Sequence, residues 1–346
     1  MTDTALAVAI RALSHGESLS RDVAAGAFGC VMAGEGTAAQ VSALLMGLRV
    51  KGETPEELAG AATALRKAMT VLPVRDPQEL VDTCGTGGGT VTTFNISTAA
   101  ALLAAGAGVR VAKHGNRSFT SRSGSADVLE ALGVRIDLPV GRMLDVLEAA
   151  GIVFMFAPTM HPAMRHVGPV RRELAIQTVM NLVGPLANPA RAGRQVIGVA
   201  DAKRLGLIGG ALQALGTTHS LVVHGAPGVD EISPLGLTTV LELVHGEART
   251  WSIDPAQVGA YVERASELAG AEPADNARII EDVLAGRGER GAEQAVILNT
   301  AGALYVAGQA GDFATAVDRA RDALRAGAGR EALERLRKAS QRAARD

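Results

Sequence analysis

From Glu79 onward, short apolar runs of strand length alternate with longer apolar runs at helical spacing. This rhythm constrains the fold more than any other feature of the chain. The strand-like runs are Leu80–Cys84, Val109–Ala112, Ile152–Phe156, Val196–Val199, Ser220–His224 and Val240–His245. Helical stretches such as Ser97–Ala105, Ala126–Leu132, Arg142–Ala150 and Lys203–Leu215 lie between them. A parallel strand pair needs a long crossover, usually a helix, so the alternation predicts an α/β domain with a mostly parallel central sheet flanked by helices. Met160–Leu174 is rich in His, Pro and Arg, has no clear strand, and reads as an excursion from the sheet. From Asp275 the chain turns helical again, and Leu324–Arg342 reads as a basic amphipathic helix.

The first seventy or so residues lack this rhythm and read as helices alone. Thr37-Ala-Ala-Gln40 and Thr54-Pro-Glu-Glu57 fit the capping box, the second with proline at the first helical position. Val41, Leu44, Leu45 and Leu48, then Leu58, Ala61, Ala62 and Leu65, follow at three-and-four spacing. Pro73, Asp76 and Pro77 break the pattern. The expected organisation is therefore a small all-helical N-terminal domain over 1–72 and a larger α/β domain over 73–346, in keeping with a 346-residue chain.

Composition excludes several function classes. With 34 basic and 36 acidic residues the formal net charge is −2, and aromatics are 3%. Neither a cationic footprint for phosphodiester backbones nor a stock of stacking rings is present, so a nucleic-acid partner is not expected. The longest uninterrupted apolar run, Ala99–Val109, is too short to span a bilayer, and Asp3 and Arg11 interrupt any leader-like stretch, so a cytoplasmic protein is expected. Cys30 and Cys84 are too few for a disulfide framework or a thiolate metal site.

The chemistry-bearing motifs follow the candidate strands. Asp82-Thr-Cys-Gly85-Thr-Gly87-Gly88-Gly89 leaves the first strand, and Asn95-Ile-Ser97-Thr98 opens the next helix. Glycines let several N–H groups converge on one anion, and a helix N-terminus adds free donors. The spacing fits neither a dinucleotide fingerprint, which would need glycine at Thr90, nor a Walker A loop. Lys113-His-Gly-Asn116-Arg-Ser118 follows the second strand, and Ser121-Arg-Ser123-Gly-Ser125-Ala-Asp127 is a second hydroxyl-rich helix entry. In an open α/β sheet such loops gather beyond the carboxyl ends of the strands. Gly228-Val-Asp230-Glu231 puts adjacent carboxylates on a further loop, which with the two phosphate-like loops suits a magnesium-bound polyphosphate. His161 and His166 are five apart, off the register of a helical metal pair, whereas Arg165, Arg171 and Arg172 offer forks for a substrate carboxylate. Cys84 has no evident base beside it and is not read as a nucleophile.

These motifs, with Val170-Arg-Arg-Glu-Leu174 and Asn181–Pro189, run in order along nearly the whole chain. Together they resemble the anthranilate phosphoribosyltransferase family. The resemblance implies a homodimer formed through the helical domain, part of 160–190 joining that domain, and an active site in the cleft between the two domains. It implies that Gly85, Gly88, Gly89, Thr93, Asn95, Ile96, Ser97, Thr98, Lys113, His114, Gly115, Asn116, Arg117, Ser118, Phe119, Thr120, Ser121 and Ser125 bind phosphoribosyl pyrophosphate. Gly85, Asn116 and Arg171 would contact anthranilate, Arg171 through its carboxylate, with the segments around His114 and His161 lining the same channel. Ser97, Asp230 and Glu231 would hold Mg2+. One departure stands out: the family usually closes the glycine motif with aspartate, and here Gly89 stands there. A pyrimidine nucleoside phosphorylase fits the acidic pair less well. A non-catalytic nucleic-acid-binding relative of the fold conflicts with the charge balance.

Overall fold

The computed structural model describes residues 4–118 and 122–345. The expected ligand contacts Phe119, Thr120 and Ser121 lie outside the described residues. The chain divides into two compact units: Met1–Val71 with Pro158–Pro189 and Gly206–Gly216, and Leu72–Ala157 with Ala190–Leu205 and Thr217–Asp346. Among the described residues no helix is long and apolar enough to cross a membrane.

The first unit starts with helices α1 (Ala5–Ser14), α2 (Arg21–Ala33), α3 (Ala38–Lys51) and α4 (Pro55–Ala68). Both capping boxes form: Thr37 pairs reciprocally with Gln40 and Thr54 with Glu57. Glu57 does more than cap. Its buried carboxylate accepts from Leu19 N and Thr54 N, each at 2.8 Å, and from Lys51 Nζ at 3.0 Å, tying three helix ends together. Met160–Leu174 is indeed strandless. It holds the end of α8 (Ala157–Met160), a 3-10 turn over Pro162–His166 and α9 (Gly168–Leu174), and α10 (Met180–Val183) follows.

The second unit is built on a seven-stranded sheet of β1 (Val81–Gly85), β2 (Val111–Gly115), β3 (Ile152–Phe156), β4 (Arg194–Gly198), β5 (His219–Gly225), β6 (Thr238–Val244) and β7 (Glu247–Ile253). Its order is β3-β2-β1-β4-β5-β6-β7, parallel from β3 to β5 and antiparallel through β6 and β7. α5 (Ile96–Gly106), α6 (Ser125–Ala131) and α7 (Val140–Ala150) follow the first strands, and α12 (Pro273–Leu284), α13 (Arg290–Val306), α14 (Phe313–Arg325) and α15 (Ala328–Ala343) end the chain, whereas α11 (Arg204–Leu215), which follows β4, belongs from Gly206 on to the first unit. α5 is apolar all round, as its Ala99–Ala105 run dictates, and packs against α13 and α15. β6 and β7 are held by Glu242, whose buried carboxylate accepts from His219 Nε2, Arg249 Nε, Trp251 Nε1 and Tyr305 Oη at 2.7–3.0 Å.

Three elements depart from the sequence reading. The helix expected over Leu324–Arg342 is broken at Gly327, whose left-handed backbone (φ 72°) ends the run of α14 before α15 begins. β7 was not among the expected strands, because six of its seven residues are exposed or half-exposed and the apolar alternation of a buried strand is missing. β2 runs on to Gly115, so Lys113 and His114 sit inside a strand and not on a loop after it. Lys113 is buried because its ammonium finds a main-chain acceptor, Thr83 O, at 2.5 Å.

Candidate active site

The strand order reverses at β1, whose neighbours are β2 on one side and β4 on the other, so loops leaving β1 and β4 diverge and open a crevice at the carboxyl ends. The glycine loop leaves β1 there, with Gly87 at φ 70° and Gly88 at φ 81°, a backbone that side chains with a Cβ rarely adopt. The Val229–Glu231 turn lies across the same two strand ends. A Cβ at Gly198 would collide with Asp230 O, and one at Gly85 with Asp230 Oδ2, so both strands must end in glycine for the turn to fit. The turn is fastened from behind by Asn299 of α13, which accepts from Ile232 N and donates to Ile232 O, both at 2.9 Å.

The two carboxylates close on the donors that the sequence marks as an anion cradle. Asp230 Oδ2 accepts from Gly87 N at 2.7 Å, and Glu231 Oε1 from Ser97 N, at the start of α5, at 3.2 Å. Burial pushes both carboxyls up. Glu231 reaches about 8 because the Asp230 charge adds to burial, against the opposing pull of Lys113 and Ser97 N. Burial likewise lowers Lys113, while Asp82 and Glu231 oppose that shift. Lys113 Nζ also reaches Ser97 Oγ at 3.3 Å, and buried Asp82 accepts from His114 N at 3.2 Å. Lys113, Ser97, Asp230 and Glu231 thus come together, as the motifs suggest, with Asp82 as a fourth charge that sequence reading did not single out. Two adjacent carboxylates short of positive charge are a hard-oxygen donor set for a divalent cation. No group of three or more His, Cys, Asp or Glu gathers as a metal site among the described residues. A Cβ at Gly89 would lie 3.6 Å from Asp230 Oδ1, so glycine there spares the pair a third acidic neighbour. The Cys84 thiol, half-buried beside these acids, is pushed well up by burial and by Asp82, which agrees with its not being a nucleophile.

Beyond β2, the loop carrying Asn116 is closed by Asp127. Its Oδ2 accepts from Ser118 N at 3.0 Å and Gly124 N at 2.9 Å, which ties those two backbone positions to one carboxylate. Burial alone would raise Asp127, but these amides and Arg117 hold it below the usual range. Arg117 pairs with Asp127 at 2.9 Å and with Glu130, and lies 5.5 Å from the Phe156 ring centre. It is spent on α6, and this places it as an anchor of the loop. Asn116 Oδ1 accepts from Arg117 N at 2.8 Å, and Ser125 Oγ reaches Asn116 O at 3.4 Å. Thr93 bridges to Ala269, and Ile96 and Thr98 are buried at the head of α5, Thr98 Oγ1 without a hydrogen-bond partner among the described residues. The one forward signal for Asp127 was its place at the third helical position after Gly124, where acids favour a helix start. Asn299 left none, being distant in sequence from the turn it touches.

In the first unit, Arg171 on α9 is half-buried and pairs with no carboxylate among the described residues; burial lowers its pKa. Its neighbour Arg172 is exposed, and Arg165 donates to His166 Nε2 at 3.2 Å. His161 is buried, and desolvation brings it down to about 4, so its ring is neutral near pH 7.

This geometry agrees with what the chain is similar to. Residues 77–330 match the glycosyl transferase family α/β domain and residues 7–69 its helical bundle domain. An anthranilate phosphoribosyltransferase of Anaeromyxobacter dehalogenans (strain 2CP-C) is 49% identical over 329 residues, 95% of this chain and 96% of the relative. The crystal structure of anthranilate phosphoribosyltransferase from Thermus thermophilus superposes with a TM-score of 0.91 at 40% identity, covering 96% of this chain and 99% of that one. The Saccharomyces cerevisiae enzyme in complex with phosphoribosyl pyrophosphate and Mg gives a TM-score of 0.89 at 26% identity, covering 98% and 99%. With nearly three quarters of the chain inside one family model and near-full-length relatives at almost half identity, the chain belongs to the anthranilate phosphoribosyltransferase family.

Proposed function

We propose that this chain transfers the phosphoribosyl group of phosphoribosyl pyrophosphate to the amine of anthranilate, giving N-(5-phosphoribosyl)anthranilate and pyrophosphate in tryptophan biosynthesis. The observation that carries the reading is the Asp230–Glu231 turn laid over the glycine loop and the head of α5. It places hard acceptors and anion donors on one spot. In the reaction a C–N bond forms at the anomeric carbon as its bond to the diphosphate oxygen breaks. The arylammonium that results is acidic enough to lose its proton to water or to pyrophosphate. Positioning and electrostatics therefore supply most of the acceleration.

The glycine loop over Gly85, Gly88 and Gly89 and the helix head Asn95–Thr98 take the diphosphate, with Thr93, Lys113 and Ser125. Lys113–Ser118 frame the phosphoribosyl group. Buried Lys113 contributes one positive charge in a site of low polarity, where it counts for more than at a surface. Ser97, Asp230 and Glu231 are the residues that would hold Mg2+, and a yeast relative has been solved in complex with phosphoribosyl pyrophosphate and Mg. The ion, when bound, neutralises charge on the departing diphosphate. Arg171 takes the anthranilate carboxylate through its guanidinium fork, with Gly85 and Asn116 as further contacts. The 1–72 domain, joined by part of 160–190, serves anthranilate and dimerisation, and 73–346 serves phosphoribosyl pyrophosphate. A homodimer in the cytoplasm completes the proposal on the strength of family membership.

The test is a substrate panel. Purified protein with magnesium and phosphoribosyl pyrophosphate should release pyrophosphate with anthranilate, and at a far lower rate with aniline or with other amines lacking the ortho carboxylate. Phosphorolysis of pyrimidine nucleosides in place of that activity overturns the reading.

A further inference from the structure

Asn95 opens α5 but makes no side-chain cap there. Its amide is spent elsewhere. Oδ1 accepts from Ser123 Oγ at 3.1 Å and from Asn276 Nδ2 at 2.9 Å, and Nδ2 donates to Ser123 O at 3.1 Å. Asn276, on α12, is 2% exposed, and its own Oδ1 accepts from Ala271 N at 2.7 Å. The Ala271 segment is in turn laid along the exit of the glycine loop, with Phe94 N donating to Leu268 O at 2.9 Å and Gly270 N to Thr92 O at 3.2 Å. One buried amide thus stands behind both loops that the proposed function assigns to phosphoribosyl pyrophosphate, on an element that belongs to neither.

We propose that Asn276 is a positioning residue for phosphoribosyl pyrophosphate: through Asn95 it locks the head of α5 to the Ser123 side of the 116–125 loop, so the two halves of the substrate cradle hold one spacing. It touches no substrate itself. This rests on the reading of those loops as the phosphoribosyl pyrophosphate site. A buried side-chain amide with its acceptor and a donor both satisfied is costly to misplace, which makes it a stiff strut.

Asn276→Asp isolates the strut from mere packing. The aspartate keeps volume and the acceptor for Ala271 N, but turns an acceptor toward Asn95 Oδ1. Asn95 must then rotate its amide, and its bond to Ser123 O is lost. Losing one buried hydrogen bond in the cradle should weaken phosphoribosyl pyrophosphate binding about tenfold. Titration calorimetry with phosphoribosyl pyrophosphate and excess magnesium on the full chain reads this directly, and steady-state kinetics should show the rise in KM for phosphoribosyl pyrophosphate with KM for anthranilate unchanged. Ser123→Ala should weaken the same binding, and the double variant should be no worse than the worse single, because both act through Asn95. Equal rises in both KM values, full additivity, or unchanged phosphoribosyl pyrophosphate affinity in either variant overturns the proposal. If Asn276→Asp does not fold, unchanged affinity in Ser123→Ala alone overturns it. Wild-type protein that fails to bind phosphoribosyl pyrophosphate overturns the functional reading as well, which separates the two failures.

Discussion

Arg171 is the residue whose environment speaks most plainly about substrate. A half-buried guanidinium without a carboxylate partner among the described residues is a cost to the folded chain, and a ligand carboxylate offsets it. Arg171→Ala should therefore raise KM for anthranilate by about thirty-fold, roughly 2 kcal/mol for a partly desolvated charge pair, and leave phosphoribosyl pyrophosphate binding intact. Unchanged anthranilate kinetics in the folded variant would remove Arg171 from the site. His161 makes a different prediction, about pH. Its folded pKa, about 4, lies below the ordinary value of 6.5, so the unfolded chain binds the proton first as pH falls. Stability is full above about pH 6.5 and is lost through the window down to about 4, by at most about 3 kcal/mol from this group. Melting curves of wild type and His161→Asn between pH 4 and 7 check it: the variant should show the shallower decline, and parallel curves contradict it.

Among elements, the end of β4 is where backbone and site are most tightly coupled. Gly198→Ala drives a methyl into Asp230 O, so the acidic turn must lift from β1 and β4 while the sheet, paired on both sides of β4, persists. Far-ultraviolet circular dichroism should be unchanged, with turnover down by at least about a hundredfold, on the scale of losing an electrostatic contact to the leaving group. Near-normal turnover would show that the turn is not part of the site. Elements also show what was legible in the chain. Capping boxes at Thr37 and Thr54, the strand–helix alternation, and the glycine and acidic motifs are local patterns, and each can be read within a few residues. Where local pattern and burial part company, reading fails. Lys113 looks like a loop lysine because its buried partner, Thr83 O, is thirty residues away. β7 escapes the reading because nearly all of its side chains face solvent, while its pairing with β6 is a backbone ladder that leaves no apolar alternation. Asn276 and Asn299 are unremarkable helix residues until the fold brings them behind the glycine loop and the acidic turn.

At the scale of the whole molecule, the sheet order determines where chemistry can occur. The reversal at β1 opens the crevice, and the glycine loop, the helix head and the acidic turn all reach it from different parts of the chain. Everything proposed for this crevice depends on that turn working as the cation-holding half of a diphosphate site. The measurement is pyrophosphate release from phosphoribosyl pyrophosphate and anthranilate across a magnesium titration, for the wild type and for the Asp230→Asn, Glu231→Gln double variant. Both proteins should be folded, since removing two acids pushed up by burial takes no stabilising charge from the core. The wild type should saturate with magnesium, and the variant should shift to at least about tenfold higher magnesium with part of its turnover restored there. Superimposable curves, or pyrophosphate release indifferent to magnesium in the wild type, would contradict this.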